Sequence, residues 1–257
     1  MANDVDHPKQ KLNATLRRRG IYILPNLFTT ANMFSGFYAI VQGMNGNFEN
    51  AAIAVFVAMV MDALDGRVAR LTHTQSAFGA EYDSLADMVS FGVAPALVMY
   101  SWALQGLNKW GWLAAFIYCA GAALRLARFN TQLDVADKRY FTGLPSPSAA
   151  ALMAGLVWAL HAFEVPGRQV SWYAWALTVF AGVTMVSNVR YYSFKDINLR
   201  KSVPFWVLLL IVLGWLFISI DPPRVLFLGF VAYALSGYAM CAIDKMRSRK
   251  PPANSSS

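Results

Sequence analysis

Five of the chain's 14 acidic residues fall in the 26 positions from Asp62 to Asp87: Asp62, Asp65, Glu81, Asp83 and Asp87. Four of them form two pairs. Asp62 and Asp65 are three apart and Asp83 and Asp87 four apart, so each pair shares one face of a helix. The 18 residues from Asp65 to Asp83 let the chain leave one helix, turn and enter the next. Two antiparallel helices then aim four carboxylates at a common point. Carboxylates so placed repel one another. Hard divalent cations remove the repulsion and take oxygen ligands, so Mg²⁺ or Mn²⁺ is expected. A pair of such ions is the usual clamp for phosphoryl transfer. Gly66 and Ala69 lack bulk, so a ligand can lie against the helix there. Arg70, one turn beyond Gly66, supplies a forked cation for phosphate.

A lone aspartate at a helix end is ordinarily a solvated cap, and a lone glycine a packing residue. Neither accounts for two carboxylate pairs, two small residues and an arginine at these spacings in an acid-poor chain.

The elements that position this cluster are set by composition. Of the 257 residues, 57% are hydrophobic and 14% charged, with mean hydropathy +0.40. Ordinary soluble domains carry roughly 25% charged residues, so a disordered chain is excluded and a soluble enzyme disfavoured. The two cysteines, Cys119 and Cys241, lie in apolar stretches and read as small buried hydrophobes. His7, His73 and His161 show no ligand spacing.

A bilayer core needs roughly 20 apolar residues per helical crossing. About eight stretches qualify or come close: 21–43, 50–64 continuing as helix to 70, 84–104, 109–127, 148–163, 170–189, 203–220 and 224–243. The expectation is an all-α polytopic membrane bundle: a polar N-terminal tail over 1–20, one membrane domain over 21–245, and a disordered Pro/Ser-rich tail over 246–257. With an even number of crossings, 19 of the 22 Lys and Arg fall on one side and only Lys109, Arg168 and Arg224 on the other. The positive-inside rule makes that side cytoplasmic, with both termini and the acidic cluster on it, in the inner membrane. The net charge of +8 thus marks a membrane face and lipid headgroups, and no nucleic-acid partner is expected.

The pattern D-x2-D-G-x2-A-R-x8-G-x3-D-x3-D, carried by Asp62, Asp65, Gly66, Ala69, Arg70, Gly79, Asp83 and Asp87, resembles the signature of the CDP-alcohol phosphatidyltransferase family at every fixed position. Within that family the chain is similar to the membrane-integral phosphatidylserine synthases. Four further stretches carry that likeness: Leu24–Gly36, Arg125–Asn130, Phe141–Ser148 and Met185–Lys195. The resemblance implies two divalent cations, one on Asp62, Asp65 and Asp83 and one on Asp62, Asp83 and Asp87, with Asp65 also near the nucleotide. It implies Asp87 as general base. It implies that Asn26, Thr29, Gly66, Arg70 and Ser76 contact the CDP group, beside the small residue Ala69. A homodimer is implied too.

On this expectation the serine hydroxyl, deprotonated by Asp87, attacks the phosphorus bearing diacylglycerol in CDP-diacylglycerol, and CMP leaves. Arg125, Arg128 and Asn130 at the end of the fourth span, with Arg190 and Lys195 after the sixth, are candidates for the L-serine carboxylate. The alternative is that these cations only mark the headgroup face.

Rival readings remain. The motif is shared with phosphatidylglycerophosphate and phosphatidylinositol-phosphate synthases. A cation-coupled transporter needs acids near the bilayer midplane and a repeat in the second half. An intramembrane prenyltransferase needs a second acidic motif, whereas Asp196, Asp221 and Asp244 lie far apart. The phospholipase D-like synthase pattern H-x-K-x4-D begins at His7 and Lys9 but meets Ala14.

Overall fold

A computed structural model describes residues 7–72, 74, 76–131, 140–192 and 205–248. The tail beyond Ser248 lies outside these residues, as do His73, Lys138, Arg139, Lys195, Arg200 and Lys201. Eight helices account for nearly all of the described chain. They are α1 (His7–Met44), α2 (Phe48–Leu71), α3 (Ala77–Leu107), α4 (Lys109–Thr131), α5 (Ser146–Ala162), α6 (Ser171–Val186), α7 (Phe205–Ile220) and α8 (Pro222–Ser248). Three are long and apolar enough to cross a membrane: α3, α4 and the Pro222–Ile243 part of α8. The apolar stretches of α5 and α7 are shorter, and α2 ends in its charged segment. Helix α1 begins inside the expected polar tail, because residues 7–19 hold mostly good helix formers. Helix α8 likewise runs three residues into the expected C-terminal tail.

Small residues set the distances between helices. Ala39, Ala51, Ala52, Ala58, Ala94, Ala149 and Ala150 are all fully buried. In a lipid setting close backbone approach replaces the hydrophobic drive between helices. Gly36 of α1 faces α3 so closely that a Cβ would fall 2.6 Å from the Cα of Ser90. Gly182 of α6 faces α4, where a Cβ would fall 2.8 Å from the Cα of Tyr118. Large apolar side chains are turned outward instead, among them Phe34, Phe37, Phe116, Trp206 and Trp215. So much exposed apolar surface marks contact with lipid. Cys241 is on this outer face of α8, which corrects its expected burial, and Cys119 is part-buried.

Helix α3 is not uniform. Wider π turns occupy Met88–Val93 and Tyr100–Leu104. Pro95 has no N–H to offer the Phe91 carbonyl four residues back. The buried Tyr118 hydroxyl of α4 donates to that carbonyl at 2.9 Å. The first π turn starts directly after Asp87, so Asp83 and Asp87 keep regular helical spacing and one face.

The all-α expectation needs one correction. Strands β1 (Tyr140–Thr142) and β2 (Arg190–Tyr192) pair antiparallel, with Phe141 opposite Tyr191. Gly143, at φ +82°, turns the chain out of β1, and its N–H donates to Val189 O at 2.8 Å. Tyr191 is fully buried and donates to Ala234 O of α8 at 2.9 Å. The ribbon therefore ties the segments after α4 and α6 to α8. It joins two of the stretches that carried the family likeness. Three-residue strands leave no period to read in a sequence, and this pairing spans about 50 positions.

Gly36→Ala is expected to destabilise the detergent-solubilised protein by about 1–3 kcal/mol, read as a lower midpoint of thermal unfolding. Gly214→Ala on α7, where nothing lies within 4 Å of the new Cβ, should not lower the midpoint, since an unhindered Ala favours the helix over Gly.

Candidate active site

The last turns of α2 and the first turns of α3 carry the motif, and α1 crosses both. Ser76 caps α3, accepting the Gly79 N–H at 3.0 Å. This cap fixes where α3 begins and hence where Asp83 and Asp87 point. Asp62, Asp83 and Asp87 converge: one carboxylate oxygen from each lies within 4.8 Å of the other two. All three are half-buried. Asp83 Oδ1 is buried without a hydrogen-bond partner. An all-oxygen donor set with an orphaned buried carboxylate oxygen fits a hard divalent cation.

Asp65 stands beside this triad rather than in it. It is buried, and its Oδ2 accepts from the Thr29 hydroxyl of α1 at 2.9 Å. It lines a cleft of about 250 Å³ between α1, α2 and α3. Asn26, Thr29, Gly66, Ala69, Ser76 and Asp83 line the same cleft. Five of the six positions expected at a CDP group are thus brought together. The sixth, Arg70, is exposed and folds back over Gly66, its guanidinium 3.8 Å from where a Gly66 Cβ would be. Gly79 is small for the same cleft, since a Cβ there would sit 3.1 Å from Ser76 Oγ and 3.6 Å from Asn26 Oδ1. The volume is below the roughly 300–1,000 Å³ of pockets that enclose a whole drug-sized ligand. It suits a headgroup fragment with the rest of the molecule outside.

On the far side of the triad, α4 contributes Arg125. Its Nη1 donates to Ser146 Oγ, the first residue of α5, at 2.7 Å, and its charge faces Asp87 and Asp62. Its Nε is buried without a partner. Asn130 is held by Ser84, next to Asp83 in the chain, with Nδ2 donating to Ser84 Oγ at 3.0 Å. Arg128 lies between them in the last turn of α4.

Sequence reasoning passed over Asn32. It is fully buried on α1, and its Nδ2 donates to Asp87 Oδ1 at 3.0 Å. Ser90 of α3 donates to its backbone carbonyl at 2.9 Å. A signal was present: Asn26, Thr29 and Asn32 recur every three residues in the mostly apolar stretch 21–41 of α1. Thr74, buried in the cleft wall, and Ser146 were also missed.

Comparison with known proteins identifies the family. The sequence profile described as CDP-alcohol phosphatidyltransferase matches residues 22–183. The chain is similar to the CDP-diacylglycerol--serine O-phosphatidyltransferase of Helicobacter pylori (strain ATCC 700392 / 26695), 36% identical over 198 residues, covering 77% of this chain and 83% of the relative. The protein of that name from Methanocaldococcus jannaschii is 34% identical over 173 residues, covering 67% of this chain and 75% of its own length. The Saccharomyces cerevisiae protein of that name is 38% identical over 152 residues, 54% of each chain. The matched profile spans more than half of the sequence and contains every residue that lines the cleft, so the chain belongs to the CDP-alcohol phosphatidyltransferase family.

Proposed function

We propose that this integral membrane protein transfers the phosphatidyl group of CDP-diacylglycerol to the hydroxyl of L-serine, giving phosphatidylserine and CMP. The observation that carries this reading is the convergence of Asp62, Asp83 and Asp87 beside a headgroup-sized cleft at the end of α2 and start of α3. Family membership makes the donor a CDP-lipid. The serine acceptor rests on the names of the relatives, and Arg125 supports it as a cation for a carboxylate.

In this mechanism the cleft of Asn26, Thr29, Gly66, Ala69 and Ser76 holds the CDP headgroup, and Arg70 covers it. The acyl chains stay in lipid. Asp62, Asp65, Asp83 and Asp87 would hold two divalent cations, Mg²⁺ or Mn²⁺. When bound, these supply positive charge for the pyrophosphate oxygens. Arg125, with Arg128 and Asn130 nearby, orients serine by its carboxylate. Asp87 accepts the hydroxyl proton. The serine oxygen bonds to the phosphorus bearing diacylglycerol as the bond to the CMP oxygen breaks. Asn32 holds Asp87 in place, so the base needs reach more than an adjusted acidity.

The eight helices all cross the inner membrane, with both termini and the acidic cluster in the cytoplasm. Contacts within the bundle agree with alternating helix directions. The Asn130–Ser84 bond and the β1–β2 ribbon lie at the end that holds the carboxylates. Phe163 and Arg224, 4.1 Å apart in a cation–π contact, join α5 and α8 at the opposite end. The positive-inside count assigns the first end to the cytoplasm. Residues 21–245 form the membrane domain, and the active form is a homodimer.

Asp87→Asn is expected to keep the thermal midpoint and binding of CDP-diacylglycerol while lowering CMP release by at least 10²-fold, the scale of lost general-base catalysis. Near-normal turnover would remove Asp87 from that role. Purified protein given CDP-diacylglycerol with L-serine, glycerol 3-phosphate and inositol phosphate in competition is expected to form phosphatidylserine. EDTA should stop CMP release, and Mn²⁺ or Mg²⁺ should restore it. Preference for either phosphorylated alcohol would overturn the acceptor, and turnover in EDTA would overturn the metal requirement.

A further inference from the structure

We infer that Asn32 binds the acceptor, its side-chain carbonyl receiving the ammonium group of the amino-acid alcohol. The inference rests on the serine reading above and adds a residue outside the family motif. Among the described residues, three buried side-chain polar atoms lack a hydrogen-bond partner: Asn32 Oδ1, Asp83 Oδ1 and Arg125 Nε. All three belong to groups around Asp87. Buried polar atoms are almost always satisfied, so three orphans at one place mark a site that a ligand completes. Asp83 belongs to the carboxylate triad and is accounted for by a cation. One neutral acceptor and one cationic donor remain.

The orientation of Asn32 follows from its neighbour. A carboxylate only accepts, so the amide nitrogen must face Asp87, as it does at 3.0 Å. The oxygen of the same planar amide is then turned away from Asp87 yet stays beside it, fully buried. Ser90 donates to the backbone carbonyl of Asn32 and not to the side chain. Arg125 is fixed at its other edge by Ser146, which leaves Nε for an anion.

A donor for a carboxylate and an acceptor for an ammonium, both next to one base, complement a zwitterion bearing a hydroxyl. A phosphorylated alcohol offers Arg125 an anion but gives Asn32 no charged donor. An amide suits the ammonium better than a fourth carboxylate would, because it adds no negative charge to the triad.

The test compares L-serine with 3-hydroxypropanoate, which is serine without its ammonium group. For the wild type, 3-hydroxypropanoate is expected to compete with serine at least tenfold more weakly than serine's own KM implies. In Asn32→Ala, the KM for serine should rise about 10- to 100-fold, the scale of a hydrogen bond to a charged group. The inhibition constant of 3-hydroxypropanoate should change less than threefold. Equal losses for both compounds would show that Asn32 acts only by positioning Asp87, and would overturn the inference. A change confined to the Mn²⁺ activation constant would overturn it as well. If the variant fails to fold, the wild-type comparison decides alone: equal binding of the two compounds sinks the inference. A wild type that prefers another alcohol sinks the serine reading first, before any variant is made.

Discussion

Crowding of carboxylates at the edge of an apolar bundle is the constraint on which the rest of this structure depends. Three carboxylates within 4.8 Å of one another repel in any medium, and more strongly where lipid and packed helices exclude water. Such a cluster persists only where the surroundings fix it from several sides. Thr29 holds Asp65, Asn32 holds Asp87, and Arg125 sets a positive charge behind Asp87 and Asp62. The two hydrogen bonds come from α1 and the charge from α4, so the site is not a property of the α2–α3 hairpin alone.

That dependence explains where the bundle spends its small residues. Helix α1 delivers Thr29 and Asn32 only if its backbone comes close to α3, and Gly36, one turn past Asn32, permits this against Ser90. Fully buried Ala39, Ala52 and Ala58 continue the close contact between α1 and α2. Helix α4 is placed by a different device. Tyr118 reaches the Phe91 carbonyl, to which Pro95 offers no N–H, within the first π turn. Two turns along α4, Arg125 is then aligned with the triad. Irregular helix in α3 thus serves as the point at which α4 is docked.

The motif was legible because its chemistry is local. Asp62, Asp65, Gly66 and Arg70 lie on one helix end, Gly79, Asp83 and Asp87 on the next helix start, and helical spacing says which residues share a face. Helix positions were legible for the same reason, since apolar length reports them. What stayed hidden depends on which distant segments meet. The β1–β2 ribbon pairs Thr142 with Arg190, and the Asn32–Asp87 bond joins residues 55 apart. Asn32 is one polar side chain in an apolar run, and spacing alone does not tell a ligand from a helix-packing amide. Its burial, with one amide edge used and the other empty, tells them apart.

A division of labour follows from where these groups reside. Under the proposed reading, the motif residues of α2 and α3, with Asn26 and Thr29, surround the cleft that takes the nucleotide headgroup. The groups left over for an acceptor come from outside the motif: Asn32 of α1, Arg125 of α4 and Ser146 of α5. Changing the acceptor therefore requires no change in the carboxylates. A substitution at Asn32 or around Arg125 alters what can sit beside Asp87 while the donor cleft stays as it is. Under the proposed reading, one motif can serve several alcohols, and the choice among them is made by three helices that the motif does not include.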